Sequence, residues 1–199
     1  VYTAPGLYVI TYMVTDRQGC KAYDTATVRV LGYAGAFTYA PLEGCNPLTV
    51  NFDATTLNVR SITWDFNDGT TLKTTQSKVT HTYTHPGAYL PKLVVEGNGG
   101  CRAVSPGSDT IKVDAVEANF IPDAPCQFSD VTFVDTSVSY FSEKKKWIWT
   151  FHDGDVVNKK SPTKYYGPPG TYTVKLYIEN MRGCVDSVTK EITIYPPPA

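Results

Sequence analysis

Five cysteines are the residues whose type and spacing give this chain its clearest chemistry. Cys20, Cys101 and Cys184 each directly follow a glycine. Cys45 stands earlier in the segment that ends with Cys101, and Cys126 stands earlier in the segment that ends with Cys184. No two of these thiols form a close pair and the histidines lack ligand spacing, which argues against a zinc site. The cysteines therefore predict disulfide bonds, with reduced, buried thiols as the alternative.

Carboxylates in turn-prone stretches form a second group. Their oxygens are the ligands that calcium prefers, but they do not follow the spacing of an EF-hand, and capping of turns by aspartate is the alternative explanation. We therefore predict no bound cofactor and name calcium as the ion that such residues would favour. The group comprises Asp53, Asp65, Asp68, Asp135, Asp153 and Asp155.

A run of cations beside an aromatic residue, Lys144, Lys145, Lys146 and Trp147, forms a third group. The stretch from Cys126 to Trp149 is longer than the corresponding stretch from Cys45 to Trp64, so the lysines fall in an insertion. Loops that vary on a constant scaffold are common sites of binding. We expect a solvated loop here and treat it as the candidate binding surface.

No set of residues has the pattern of a catalytic site. The sequence lacks the G-x-S-x-G and H-E-x-x-H motifs, the P-loop and the dinucleotide-binding fingerprint. The histidines, His81, His85 and His152, do not recur at equivalent positions. Because catalysis needs converging groups at a fixed geometry, we predict that the chain is not an enzyme.

The composition argues against two kinds of partner. With 18 basic and 19 acidic side chains and a net charge of -1, the chain offers no strongly basic surface for nucleic acid. No apolar run approaches the roughly 20 residues that span a bilayer, so we predict no membrane span. The 14 tyrosines, 15 glycines and 14 prolines favour short strands joined by turns.

The elements that position these residues repeat along the chain. Residues of the same type recur three times at six equally spaced positions, with a period of roughly 80 residues. A front half with a tryptophan and an Asp-Gly pair occurs only twice. We predict a C-terminal part of a truncated repeat at 1–32 and complete repeats at 33–114 and 115–196. The three sets are Tyr2, Pro5, Gly6, Tyr8, Gly19, Cys20; Tyr83, Pro86, Gly87, Tyr89, Gly100, Cys101; and Tyr166, Pro169, Gly170, Tyr172, Gly183, Cys184.

Apolar residues alternate after each Pro-Gly pair, which predicts a strand with one buried face in every repeat. Pro91 interrupts this pattern in the second repeat, and we expect a bulge or bend there because proline lacks the amide proton of a strand ladder. No segment shows a helical stripe, so the predicted fold class is all-β, with sandwich domains. The alternating positions are Tyr8, Ile10, Tyr12, Val14; Tyr89, Pro91, Leu93, Val95; and Tyr172, Val174, Leu176, Ile178.

The repeat also suggests how the cysteines pair. Cys45 and Cys101 stand near the two ends of one repeat, and Cys126 and Cys184 stand likewise in the next at nearly the same separation. We predict these two bridges, each adding about 4 kcal/mol in the chain-entropy model, and leave Cys20 to pair with a residue of the missing front half. Such bridges indicate an oxidising, extracellular or cell-surface location.

The string Trp64-Asp65-Phe66-Asn67-Asp68-Gly69 carries a motif that resembles the signature of the PKD (polycystic kidney disease) domain family. The resemblance implies tandem immunoglobulin-like β-sandwiches over essentially the whole chain. On physical grounds the tryptophans should fill the sandwich core and the Asp-Gly pairs should form turns. Tyr89 and Tyr172, just after the Pro-Gly corner, should tie back to the backbone. The motif residues are Trp64, Asp65, Phe66, Asp68 and Gly69 in the second repeat and Trp149, Phe151, Asp153 and Gly154 in the third, where Thr150 and His152 depart from the pattern.

These features predict a stiff, non-catalytic spacer or stalk, in which each repeat has its neighbouring repeats as partners. By resemblance, cysteine-bridged PKD arrays are similar to segments of very large bacterial surface adhesins, including some implicated in gliding motility. Surface glycans or other surface proteins would then be further partners. The alternative is an accessory spacer, or a carbohydrate- or protein-binding module, of a secreted hydrolase.

Overall fold

The computed structural model describes residues 6–30, 32 and 34–197. The predicted positions Tyr2 and Pro5 lie outside these residues. The described chain is built from β-strands and turns, which confirms the all-β prediction, and it contains no helix long and apolar enough to span a bilayer. The chain divides into two compact units, of which the first covers 1–40, 51–80 and 90–109 and the second covers 41–50, 81–89 and 110–199.

The segment before the second repeat forms a two-stranded hairpin of β1 (Gly6–Thr15) and β2 (Lys21–Val30). Its strands pair with each other in a two-stranded sheet. The face predicted to be buried is open, since Tyr12 is 49% and Val14 is 60% exposed. Alternation selects the face of a strand that would be buried, but burial itself requires a second sheet packed on that face.

The described residues of the second repeat form ten strands arranged in three sheets. The sheets have the orders β11-β10-β6-β7, β3-β5-β8 and β4-β12-β9. The strands are β3 (Ala34–Ala40), β4 (Glu43–Cys45), β5 (Leu48–Leu57), β6 (Val59–Asp65), β7 (Thr71–Thr74), β8 (Lys78–Tyr83), β9 (Gly87–Tyr89), β10 (Lys92–Gly97), β11 (Arg102–Pro106) and β12 (Ile111–Asp114).

The predicted break at Pro91 is confirmed. β9 ends at Tyr89 and pairs with β12, whereas β10 begins at Lys92 and pairs with β6 and β11. The chain therefore changes sheets at the proline, whose carbonyl accepts a hydrogen bond from the amide of Gly107 at 2.8 Å.

The third repeat forms a sandwich from β14-β15-β19 on one side and β18-β17-β20-β21 on the other, with a small β13-β16 sheet. Without a proline at the equivalent position, its long strand β20 continues for 11 residues. The strands are β13 (Val116–Glu117), β14 (Phe120–Asp123), β15 (Ser129–Asp135), β16 (Val138–Ser139), β17 (Lys144–Phe151), β18 (Val156–Val157), β19 (Thr163–Tyr166), β20 (Gly170–Asn180) and β21 (Val185–Ile194).

A tryptophan lies at the centre of each core, as the motif predicts. Trp64 and Trp149 are fully buried. Phe52 contacts Trp64 and Phe133 contacts Trp149, with ring centroids 5.5 and 5.7 Å apart. The two indoles differ in one respect, because Trp149 Nε1 donates to the carbonyl of Lys159 at 2.8 Å, whereas Trp64 Nε1 finds no acceptor among the described residues.

The remaining motif residues form turns. Asp65 and Asp68 accept backbone amide hydrogen bonds within their own loop, each at 2.9 Å. Gly69 and Gly154 have φ of 93° and 88°, a conformation that favours glycine. The hydroxyls of both predicted corner tyrosines also donate to the backbone, Tyr89 to the carbonyl of His85 at 3.0 Å and Tyr172 to that of Pro168 at 2.9 Å.

Candidate functional site: the disulfide that joins the second and third repeats

Within the described part of the chain one disulfide is present, and it joins Cys45 to Cys184 across a sequence separation of 139. The predicted pairs Cys45–Cys101 and Cys126–Cys184 are therefore wrong. Cys20, Cys101 and Cys126 are exposed free thiols. The bridge links the front of the second repeat to the back of the third.

The strand pairing of Cys45 explains why the bridge leaves its own repeat. Cys45 ends β4, which runs parallel to β12, and it is paired with Asp114, the last residue of that strand. The amide of Asn46 continues the contact by donating to the carbonyl of Asp114 at 2.9 Å. Cys45 thus stands where the second repeat ends and the third begins, and the β20–β21 turn brings Cys184 to a Cα distance of 5.4 Å.

Apolar side chains surround the bridge. Cys184 is 3% exposed and belongs to a small core cluster with Val116 and Ile178. Cys45, Ala118 and Trp147 pack against this cluster. A disulfide within an apolar cluster is sheltered from thiolates in solvent, which can attack only an accessible sulfur.

A buried carboxylate lies beside the bridge. Asp114 has no solvent exposure, and its Oδ1 accepts hydrogen bonds from the backbone amides of Ala115 at 2.8 Å and Phe141 at 3.0 Å. Its Oδ2 accepts from Asn180 Nδ2 at 3.1 Å and from Arg182 Nε at 3.3 Å. A single side chain therefore fixes the joint between the repeats to two loops of the third repeat.

The surroundings of Asp114 keep it ionised. Burial alone would raise its pKa, but hydrogen bonds from the Ser142 side chain and from the amides of Phe141 and Ala115, together with the charge of Arg182, outweigh burial and lower the pKa below its ordinary value. Removing one partner from such a group is costly, because a charge without compensation is then left in the interior.

The turn that carries Cys184 is held by Asn180, which is also fully buried. Its Oδ1 accepts from the amide of Cys184 at 2.9 Å and from that of Arg182 at 3.1 Å. On the outer side, Arg182 Nη1 forms an ion pair of 2.6 Å with Glu43, which begins the strand that Cys45 ends. A second contact therefore links the same two segments as the disulfide.

Sequence reasoning missed Asp114, Asn180 and Arg182 as parts of this site. One signal was available for Asp114, because it follows the alternating strand residues Ile111 and Val113 at the predicted joint. Asn180 and Arg182 carry no comparable signal, since exposed turns commonly contain both residue types.

The predicted binding loop is a strand. Lys144, Lys145, Lys146 and Trp147 begin β17, so the prediction of a loop is wrong for them. Lys144 Nζ donates to Asp135 Oδ2 and to the carbonyl of Ser137, both at 2.7 Å. Trp147 Nε1 donates to the same Asp135 oxygen at 2.9 Å.

Lys144 and Lys145 therefore have structural partners within the third repeat. The side chain of Asp135 is fully buried; burial alone would raise its pKa, but hydrogen bonds from Lys144, Ser137 and Trp147 lower the pKa overall. Lys145 forms an ion pair of 2.8 Å with Glu179. The neighbouring loop, with Tyr140 and Phe141 partly exposed, borders an open cleft of about 470 Å³.

The aspartates considered for calcium have protein partners. Lys78 pairs with Asp53 at 2.9 Å, and Lys164 pairs with both Asp153 and Asp155. Asp65 and Asp68 accept turn amides, and Asp135 binds Lys144. Among the described residues, no three His, Cys, Asp or Glu side chains are grouped so that they could hold a metal ion.

Segments of known proteins are similar to this chain. Over 52 residues the chain is 35% identical to collagenase ColA of Bacillus cereus, in a match that covers 26% of this chain and only 5% of the collagenase. The PKD1 domain of Vibrio anguillarum Epp is 24% identical over 42% of this chain and 96% of its own, with a TM-score of 0.38. The PKD1 domain of the Vibrio cholerae metalloprotease PrtV is 24% identical over 40% of this chain and 96% of its own, with a TM-score of 0.37.

The model of the PKD domain family matches twice, over residues 38–113 and 117–195. These matches cover well over half of the chain and fall on the two segments that contain the tryptophan motif and the turns of Cys101 and Cys184. The chain therefore belongs to the PKD domain family and carries two of its domains in tandem.

Proposed function

We propose that this chain is a non-catalytic extracellular segment that acts as a stiff spacer or stalk in a large secreted or cell-surface adhesin, of the kind that supports attachment and gliding. One bond carries this proposal, the disulfide between Cys45 and Cys184, because it joins successive repeats covalently outside their strand ladders. A segment that only had to fold would gain from a bridge within each domain. A bridge between repeats instead restrains the joint.

The contacts at the joint support stiffness. Asp114, which ends the last strand of the second repeat, is buried, and the ion pair between Arg182 and Glu43 spans the same two segments as the disulfide. Flexible linkers leave their backbone and side chains in solvent, whereas this joint has its polar groups satisfied by protein. Bending at the joint would break these contacts.

The chemistry of the bridge supports the proposed extracellular location. Structural disulfides persist in oxidising compartments, and they are rare where cytosolic thiols remain reduced. The acids of the motif are used by turns and by lysines, and this supports a role without catalysis. The chain would then bind its neighbouring repeats first, and surface glycans or surface proteins through the parent molecule.

A second candidate is an accessory module of a secreted hydrolase. The observation that favours it is the 35% identity to a segment of a collagenase. In that case the PKD pair would position a catalytic domain or bind its polymeric substrate. The open cleft beside Tyr140 and Phe141 would be the first surface to examine.

One experiment separates the two candidates. The native parent polypeptide should be recovered from the producing cells, with cell-surface and medium fractions kept apart, and its intact mass and domain content determined. We expect a surface-held chain of several hundred kilodaltons made mostly of these repeats. A smaller protein released into the medium, with one large additional domain that degrades protein or polysaccharide, would contradict the stalk and support the accessory module.

A further inference from the structure

The observed bridge is offset by one repeat. We call Cys45 and Cys126 the front cysteines, and Cys20, Cys101 and Cys184 the back cysteines. The front cysteine of the second repeat is bonded to the back cysteine of the third. If this offset belongs to the repeat rather than to one joint, each remaining cysteine has a defined partner type.

The three back cysteines occupy the same turn. In each turn, the cysteine directly precedes the second strand of a hairpin. Its carbonyl accepts a hydrogen bond of 3.0 Å from the backbone amide of the residue four positions earlier. The preceding glycine has a positive φ of 87°, 77° and 91° at Gly19, Gly100 and Gly183, respectively. Cys20 and Cys101 are thus held by the backbone in the way that Cys184 is held.

The two front cysteines also share one pattern of backbone pairing. Cys45 is paired in parallel with Asp114, and Cys126 forms a parallel bridge with Tyr195. In both cases the next amide donates to the carbonyl of that partner at 2.9 Å, from Asn46 to Asp114 and from Gln127 to Tyr195. Cys126 therefore stands at the exit of the third repeat as Cys45 stands at the exit of the second.

The polar contacts at the joint are not shared in this way. The place of Asp114 is taken by Tyr195, and the places of Asn180 and Arg182 are taken by Gly97 and Gly99 in the second repeat. The ion pair and the buried carboxylate are therefore particular to the joint between the second and third repeats. The backbone frame that presents the sulfur atoms is the part that recurs.

We propose that every front cysteine of this array is bonded to the back cysteine of the repeat that follows it. Cys126 is then the attachment site for the back cysteine of a following PKD repeat. Cys101 and Cys20 are the attachment sites for the front cysteines of preceding repeats. Each complete repeat is fastened to both of its neighbours, and this holds whether the parent protein is an adhesin or a hydrolase.

The bond would form by thiol–disulfide exchange with an oxidised disulfide, such as oxidised glutathione. One cysteine thiolate attacks the oxidant and releases one glutathione thiolate, and the second cysteine then displaces the other glutathione. Two protein thiols are oxidised and one disulfide of the oxidant is reduced to two thiols. Cys20, Cys101 and Cys126 are all exposed and accessible to this reaction.

The test is the chain extended by one repeat. A second copy of residues 116–196 is joined after residue 196, so that its Val116 follows Tyr195 by two positions as Val116 follows Asp114 in the original chain. The exposed residue Val185 of the added copy is changed to isoleucine (Val185→Ile) so that its tryptic peptide differs in mass. The extended chain is refolded with oxidised and reduced glutathione, alkylated without reduction and digested with trypsin. The five cysteines of the original chain fall in five different tryptic peptides, so each cross-link is identified by mass.

We expect the original Cys45–Cys184 link together with a new link from Cys126 to the Cys184 of the added copy. The added copy brings two cysteines, so the extended chain should still contain three alkylated thiols, as the original chain does. Five alkylated thiols would show that Cys126 stays free, and this would overturn the proposal. A link within the added copy, or between Cys126 and Cys184 of the original third repeat, would also overturn it.

The original chain provides a second measurement that does not depend on the added repeat. Under the same conditions Cys20, Cys101 and Cys126 should be alkylated and Cys45 should be linked to Cys184. A Cys45–Cys101 or a Cys126–Cys184 link would refute the offset. With Cys184→Ser, Cys45 should become alkylated, whereas Cys101→Ser should leave the Cys45–Cys184 link unchanged.

Discussion

The bridge between Cys45 and Cys184 should prevent a pulling force from extending most of the chain. The two residues are 139 apart in sequence, and their Cα atoms are only 5.4 Å apart in the structure. A stretched residue adds about 3.3 to 3.6 Å to the length of an unfolded chain, so the bridge shortens the fully extended chain by roughly 460 to 500 Å. Force applied at the two ends would pass through the sulfur atoms and leave the residues between them unextended.

The assay is single-molecule pulling from handles at the two ends, with and without a reductant. The oxidised chain should unfold to roughly 200 Å, since only about 60 residues lie outside the bridge, and the reduced chain should reach roughly 700 Å. Cys45→Ser should give the long form without reductant. Cys101→Ser is the matched control and should still show the short form, because Cys101 is a free thiol in this chain.

The same measurement distinguishes the observed bridge from pairing within repeats. Bridges Cys45–Cys101 and Cys126–Cys184 would enclose two much shorter loops, and together they would withhold only about 400 Å. A gain near that value on reduction would refute the bridge between repeats. No gain at all would show that the chain is not bridged.

Three further predictions concern stability, each measured by urea unfolding. Because the pKa of Asp114 is lowered in the folded chain, its carboxylate should stabilise the fold at pH values above the ordinary carboxyl pKa of about 3.9. This stabilisation should be lost as the pH falls below that value. Asp114→Asn should reduce the pH dependence of stability, and an unchanged pH profile would contradict the hydrogen-bond network around Asp114. Trp149→Phe should cost about 1 kcal/mol more than Trp64→Phe, since only Trp149 loses an indole hydrogen bond; equal costs would argue against that bond. Lys144→Met should destabilise the folded chain by about 3 kcal/mol because it leaves the buried carboxylate of Asp135 without its cation. The control Lys175→Met, at an exposed position, should change stability by less than about 0.5 kcal/mol. Similar values for the two variants would show that the ion pair of Lys144 and Asp135 is unimportant for stability.

The local features of the fold could be predicted from the sequence because each depends on nearby residues. An Asp-Gly pair forms its turn with its own backbone, as at Asp68 and Gly69. A corner tyrosine such as Tyr89 likewise binds a carbonyl four residues earlier, and Pro91 interrupts its strand because it has no amide proton to donate. These effects do not depend on which sheet lies opposite.

The candidate site could be predicted only in part. The sequence correctly indicated that cysteines would form a disulfide, but it placed the partner of Cys45 in the wrong repeat. The sequence also indicated a loop for the lysine run, because the stretch from Cys126 to Trp149 is longer than the stretch from Cys45 to Trp64. This difference in length shows that residues are added, but it does not show where strand pairing begins again. Lys144 lies in a strand because it pairs with Asn180 of β20, and its ammonium contacts the buried side chain of Asp135.

By itself, therefore, the sequence determined the all-β class, the repeat, the tryptophan cores and the turns, since composition, alternation and short-range hydrogen bonds specify them. Only the tertiary structure decided which cysteines meet, which lysine pairs with a buried carboxylate and which polar residues fix the joint. The physical reason lies in the repeat itself. Because the cysteines recur at the same positions in each repeat, the sequence does not distinguish a bridge within one repeat from a bridge to the next repeat. The position of Cys45 beside Asp114 in the folded chain selects the bridge to the next repeat.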